Sequence, residues 1–161
     1  MKRLPYILTT LLPDKAKRVM LADDDAEDRE IFLDVMQEVM PFAQVFTAEN
    51  GEDLMAKLND EQYELPELIF LDLNMPLKNG HECLQEIRKS ERFRDIPVII
   101  YSTSVNNEYI DETFKKGANF YFPKPSSFKN LRIVMNRIFE LDTNAFKNPK
   151  KENYVLTAEE Y

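Results

Sequence analysis

Short apolar runs alternate with amphipathic stretches along most of this chain. Arg18–Ala22 is the first run, and Ala43–Thr47, Leu68–Leu71, Pro97–Tyr101 and Asn119–Phe122 follow it. Each is too short for a stable helix, is rich in β-branched or aromatic residues, and is bounded by Pro, Gly, Asp or Asn, so each reads as a strand. The stretches between them repeat their apolar residues at helical spacing. Ala26–Met40 places Ile31, Val35 and Val39 on one face with Phe32, Met36 and Met40 beside it, until Pro41 stops it. Glu52–Asn59 turns Leu54, Met55 and Leu58 inward, and His81–Lys89 does so with Leu84 and Ile87. Asn106–Lys116 has a sparser face, Ile110 and Phe114, and ends at Gly117, which suits the left-handed position past a helix end. Phe128–Leu141 is the last helix, with Leu131, Val134, Met135 and Ile138 inward.

Strict strand–helix alternation predicts an α/β fold, a parallel sheet covered by helices on both faces. Two segments resist placement. Residues 1–16 form an N-terminal extension, and Asp142–Tyr161 is a mixed, polar tail with Pro149 and a Lys-rich stretch. The expected organisation is one domain over residues 17–141 between them.

Polar groups cluster where those strands end. Asp23 and Asp24 follow the first strand, Asp72 the third, Ser102 the fourth and Lys124 the fifth. In a parallel sheet these ends share one edge, the edge where open α/β sheets bind ligands. Acids, a hydroxyl and an ammonium converging there suit a divalent cation and a phosphoryl group. Blander roles compete. Asp72 could cap a turn, and the Asp23–Asp25 run could cap a helix, a role that fits Asp25, nearest the helix start. An EF-hand loop does not fit, because the glycine and the terminal glutamate are missing. Ser102 has a neighbour, Thr103, that could take its place. Lys124 lies between Pro123 and Pro125, which fix its direction.

Composition narrows the field. The chain has 161 residues, 43% hydrophobic, with a net charge of −8. One domain of this size buries roughly two-thirds of its unfolded surface. The acidic balance argues against direct nucleic-acid binding or an anionic membrane surface. Cys83 is the only cysteine and His81 the only histidine. No intrachain disulfide is possible, in keeping with a reducing, cytoplasmic setting, and a His/Cys zinc site or a Ser-His-Asp triad is all but excluded. Cys83 reads as core, and His81 as a surface residue near the site with no catalytic role. No apolar run is long enough to span a bilayer, so no membrane insertion is expected. The opening Met1–Pro13 has a short apolar stretch between prolines and no cleavage signal, so it is not read as a signal peptide.

Four separated motifs, in order, resemble the receiver domain of two-component response regulators over about Lys17–Leu141. They are Val19-Met-Leu-Ala-Asp-Asp-Asp25, Ile69-Phe-Leu-Asp-Leu-Asn-Met-Pro-Leu-Lys-Asn-Gly80, Pro97-Val-Ile-Ile-Tyr-Ser-Thr103 and Gly117-Ala-Asn-Phe-Tyr-Phe-Pro-Lys-Pro125. The segment Ser90–Ile96 and the acidic opening through Asp28-Arg29 are similar to the small stand-alone, CheY-like members. The resemblance implies a doubly wound five-stranded parallel sheet of order 2-1-3-4-5 with five helices. It implies Asp72 as phosphoryl acceptor and Mg2+ as cofactor, bound directly by Asp24, through water by Asp23, and by the backbone carbonyl of Asn74. Ser102 would be the switch hydroxyl, Lys124 the phosphate-binding lysine and Tyr121 the switch aromatic, outward or mixed at rest and inward when activated. Pro125 would follow a cis peptide bond. Partners would be a histidine kinase or histidine phosphotransfer protein and an unknown downstream protein. The exposed surface of the fourth helix, fifth strand and fifth helix would serve docking or a homodimer.

Two other readings compete. A phosphatase or phosphotransferase of the haloacid-dehalogenase type also uses an aspartyl phosphate, but it wants an acid two residues on, where this chain has Asn74. A degenerate receiver acting only as an interaction module is at odds with the intact acids and Lys124.

Overall fold

The computed structural model describes residues 17–159. The N-terminal extension and the reading of its first thirteen residues lie outside them. Five strands form one sheet: β1 (Arg18–Ala22), β2 (Gln44–Ala48), β3 (Leu68–Leu71), β4 (Val98–Ser102) and β5 (Phe120–Pro123). All neighbours are parallel, in the order β2-β1-β3-β4-β5, as expected. The helices are α1 (Ala26–Val39), α2 (Gly51–Asn59), α3 (Gly80–Lys89), α4 (Asn107–Lys115), α5 (Phe128–Glu140) and a short α6 (Thr143–Lys147).

Strand β3 is central and every one of its residues is buried. A strand covered on both faces cannot alternate polar with apolar, which is why Leu68–Leu71 is a continuous apolar run. Successive side chains still point to opposite faces. Val19, Leu21 and Phe70 join Phe32, Val35, Leu131, Val134 and Ile138 in the core under α1 and α5. Met20, Ile69 and Leu71 join Leu54, Leu58, Leu84 and Ile87 in the core under α2 and α3. Phe32 meets Phe70 edge-on at 5.0 Å between ring centroids.

Helix starts are set by side-chain caps that satisfy otherwise free amides. Asp25 accepts from the amides of Glu27 and Asp28, as its position suggested. Asn79 and Glu82 form a reciprocal capping box at α3. Gly117 follows α4 with φ +93°, the left-handed conformation its place in the sequence called for.

Four expectations are corrected. Ile31 is 43% exposed, because α1 centres its buried face on Phe32, Val35 and Met36 instead. In α4 the buried residue is Thr113, with Ile110 and Phe114 only partly covered. Thr113 is tolerated there because its hydroxyl donates to the Tyr109 carbonyl at 2.7 Å. Among the described residues no peptide bond is cis, so the bond before Pro125 is trans. The C-terminal segment is also not a loose polar tail: after α6 a 3-10 turn (Lys151–Asn153) leads to Tyr154, which is fully buried, and Val155, which bridges to Tyr121 in parallel. No helix among the described residues is long and apolar enough to cross a membrane.

Candidate functional site

The ladder between strands continues one residue past their ends and fixes the backbone of the acids. The Asp72 amide donates to the Ala22 carbonyl at 2.9 Å, and the Asp23 amide to the Ala48 carbonyl at 3.0 Å. Gly80, at the start of α3, closes the loop after β3 by donating to the Leu73 carbonyl. A Cβ at Gly80 would lie 2.1 Å from the Asp72 carbonyl oxygen, so only glycine lets α3 begin this close to the end of β3.

Asp23 and Asp72 are buried and Asp24 is exposed, and one oxygen from each lies within 4.8 Å of the others. Asp23 Oδ1 accepts from the Asp25 amide at 3.0 Å. Its buried Oδ2 is paired with Lys124 Nζ at 2.6 Å. Lys124 Nζ lies 2.8 Å from Asp28 Oδ2, 3.5 Å from Asp72 Oδ2 and 5.2 Å from the Tyr101 ring centre. Lys124 leaves β5 in a fixed direction, since its amide donates to the Ser102 carbonyl at 2.8 Å. Ser102 is fully buried at the end of β4, with its Oγ accepting from the Ser104 amide at 3.2 Å, whereas Thr103 is exposed. Asn74 is exposed, and its amide makes a long 3.4 Å contact with Asp72 Oδ1.

Burial and crowding set the charges. Burial pushes the Asp72 carboxyl up to about 6; Lys124 pulls it down, while Asp23 and Asp24 push it further up. Burial also raises Asp23, against the pull of Lys124. For Lys124 burial alone would favour the neutral amine, but Asp23, Asp28 and Asp72 together hold it above the ordinary lysine range. Three carboxylates with oxygens within 4.8 Å of one another share the one Lys124 ammonium, so the site is short of positive charge. Hard oxygen donors in that number fit a small divalent cation of the Mg2+ class, with waters completing its shell.

Asp23, Asp24, Asp72, Ser102 and Lys124 therefore meet at one sheet edge. Tyr121, expected outward or mixed at rest, is turned inward. It is fully buried, and its hydroxyl donates to the Ser104 carbonyl at 2.7 Å. His81 is not a free surface residue: its ring packs edge-on against Tyr109 at 5.1 Å, its Nδ1 is 3.7 Å from Glu112, and burial lowers its pKa. Sequence reasoning missed the contact of Asp28 with Lys124. A partial signal was present, since Asp28 lies in the first turn of the helix that starts just after the acidic pair.

Residues 19–136 match the family model described as the response regulator receiver domain. The sensory transduction protein LytT of Oceanobacillus iheyensis is 34% identical over 143 residues, covering 88% of this chain and 56% of that protein. Response regulator Rcp1 of Synechocystis sp. is 30% identical over 133 residues, 79% of this chain and 90% of Rcp1. The chain spans about half the length of the first curated relatives it matches, 56% and 49%. Among solved structures, the phosphorylated cyanobacterial phytochrome response regulator RcpA aligns with a TM-score of 0.72 at 29% identity, over 78% of this chain and 92% of RcpA. The Mn2+-bound form of Rcp1 gives the same TM-score and identity, over 79% and 96%. The fold, the ordered motifs and these matches agree: the chain belongs to the response regulator receiver domain family.

Proposed function

We propose that this chain acts as a cytoplasmic response regulator receiver that accepts a phosphoryl group on Asp72 in a Mg2+-dependent reaction. The donor is a histidine kinase or a histidine phosphotransfer protein, and the output is phosphorylation-controlled binding of another protein. The observation that carries this reading is the buried cluster of Asp72, Asp23 and Lys124 with Asp24 at its rim.

In the proposed step an Asp72 carboxylate oxygen forms a bond to phosphorus as the bond from phosphorus to the donor nitrogen breaks. The electron pair of that bond stays on the donor imidazole, which takes up a proton. A carboxylate is a weak nucleophile, so rate comes from positioning and from neutralising charge on the equatorial oxygens. Asp23, Asp24, Asp72 and the Asn74 carbonyl would hold Mg2+, which supplies part of that neutralisation when bound. Lys124 supplies a second positive charge, and Ser102 offers a hydroxyl donor from β4. The exposed Asn74 side chain stands two residues after Asp72, where a dehalogenase-type phosphatase would need a carboxyl, and this disfavours that reading.

The expected docking face, α4, β5 and α5, carries the C-terminal segment along its β5 edge, so a partner or a second copy would meet that segment there. Treatment with acetyl phosphate and Mg2+, followed by peptide mapping, tests the acceptor. The reading expects a hydroxylamine-labile phosphoryl group on the peptide that contains Asp72. A stable phosphate on serine or tyrosine would contradict it.

A further inference from the structure

The chain beyond α5 returns to the lateral edge of the sheet. After the turn at Lys151–Asn153 it lays Tyr154, Val155 and Leu156 along the outer edge of β5. The Tyr121 amide donates to the Tyr154 carbonyl at 2.8 Å, and the Leu156 amide to the Tyr121 carbonyl at 2.8 Å. Both backbone groups of one β5 residue are thus held by this segment. The Tyr154 side chain is fully buried; its hydroxyl donates to Thr113 Oγ1 of α4 at 2.8 Å, and its ring meets Phe114 edge-on at 5.1 Å. From α5, Arg137 donates to the Thr157 carbonyl at 2.7 Å. The segment therefore ties α4, β5 and α5 together at the level of Tyr121.

Tyr121 in turn reaches the site. Its hydroxyl donates to the Ser104 carbonyl at 2.7 Å, and the Ser104 amide donates to Ser102 Oγ at 3.2 Å. Tyr154 packs against the Tyr121 ring at 6.2 Å between centroids. An outward swing of Tyr121 would have to displace that ring and give up the bond to Ser104.

We infer that Tyr154 is a positioning residue for the phosphoryl site. Docked on the β5 edge, it holds Tyr121 inward, and through Ser104 it holds the Ser102 hydroxyl loop beside Asp72. The inference rests on the receiver reading. A loop ordered in advance loses less freedom when a phosphoryl group arrives, so bracing it strengthens phosphoryl recognition without touching the group. The acids hang from β1 and β3 and take no support from this segment. Loss of the brace should then weaken phosphoryl recognition and spare metal binding, a split that general destabilisation would not produce.

The test uses the full chain as wild type, Tyr154→Ala, Tyr154→Phe and Leu156→Pro, the last removing a backbone donor of the bridge along with the Leu156 side chain. Mg2+ is titrated first, then beryllofluoride as phosphoryl mimic at saturating Mg2+, with amide exchange followed at Tyr121 and Ser104. Tyr154→Ala and Leu156→Pro should keep wild-type Mg2+ affinity, exchange faster at both amides, and bind beryllofluoride about fivefold more weakly or worse. Tyr154→Phe keeps the ring and should stay close to wild type. If Tyr154→Ala does not fold, Leu156→Pro carries the test. Wild type that binds Mg2+ but not beryllofluoride would overturn the receiver reading and this inference with it. Wild type that binds both, matched by Leu156→Pro in beryllofluoride affinity, would overturn the inference alone. A parallel loss of Mg2+ and beryllofluoride affinity would also overturn it, by showing a merely structural role.

Discussion

Lys124 sits closer to Asp28 than to the proposed acceptor: its Nζ is 2.8 Å from Asp28 Oδ2 and 3.5 Å from Asp72 Oδ2. The ammonium is thus shared between the site and the first turn of α1. A phosphoryl group on Asp72 must draw it away from a carboxylate that is itself about one-third exposed.

Asp28→Asn removes that competitor. The variant should lose about 1 kcal/mol of stability in urea unfolding, since Asp28 is partly solvated, yet bind beryllofluoride more tightly than wild type. Lys124→Ala should do the opposite to recognition. It should still bind Mg2+, because the acids remain, while its amide NMR response to beryllofluoride shrinks. A full-sized response from Lys124→Ala would show that the ammonium takes no part in reading the phosphoryl group.

Metal should act as a stabilising ligand. Three clustered carboxylates repel one another, and a cation relieves this only in the folded chain. At a Mg2+ concentration of about 100 Kd the gain should be roughly 2.7 kcal/mol. Thermal melts with and without Mg2+ read it directly. Asp24→Ala should lose most of the gain, and an unshifted wild-type melting temperature at millimolar Mg2+ would rule out the site.

The raised pKa of Asp72 gives a pH signature in metal-free protein. Burial lifts it to about 6, above the unfolded value of 3.8, so the fold prefers the protonated acid. The contribution of Asp72 therefore favours folding below about pH 4 and is lost as pH rises through about 6. Asp72→Asn, always neutral, should melt several degrees above wild type at pH 7 (about 3 °C or more). That advantage should vanish near pH 4. An equal difference at both pH values would mean that ionisation of the buried Asp72 carboxyl is not its origin.

Gly80 gives a purely steric prediction. A methyl group there meets the Asp72 carbonyl at 2.1 Å, and backbone cannot yield as a flexible side chain would. Gly80→Ala should cost about 3 kcal/mol in denaturant unfolding and shift the Asp72 amide resonance. A neutral outcome would mean that α3 can slide away from β3.

Much of this was legible in the sequence, for a physical reason. A doubly covered parallel strand must be apolar throughout, so Leu68–Leu71 and Val98–Tyr101 announce themselves, and the polar residues that end them fall on one edge. Helix faces built on strong periodicity, such as Leu131, Val134, Met135 and Ile138, emerge as read. The misses share a cause. Thr113 is buried because its hydroxyl bonds locally, and Tyr154 because a polar segment supplies one aromatic anchor; neither has a period to detect. Tyr121 was expected outward or mixed at rest, and the segment that covers the β5 edge offers only three consecutive apolar residues, Tyr154–Leu156, within a polar stretch. Asp28 was read only as part of the acidic opening shared with stand-alone receivers, while its reach to Lys124 spans 96 positions of sequence.

The central claim, that Asp72 accepts a phosphoryl group, is tested most directly by intact mass after incubation with acetyl phosphate and Mg2+. Wild type should gain one phosphoryl unit and lose it again when Mg2+ is present and the donor is removed. Asp72→Asn, folded and treated alike, should gain none. Addition of one phosphoryl unit to Asp72→Asn, or its absence from Mg2+-bound wild type at saturating donor, would contradict the account.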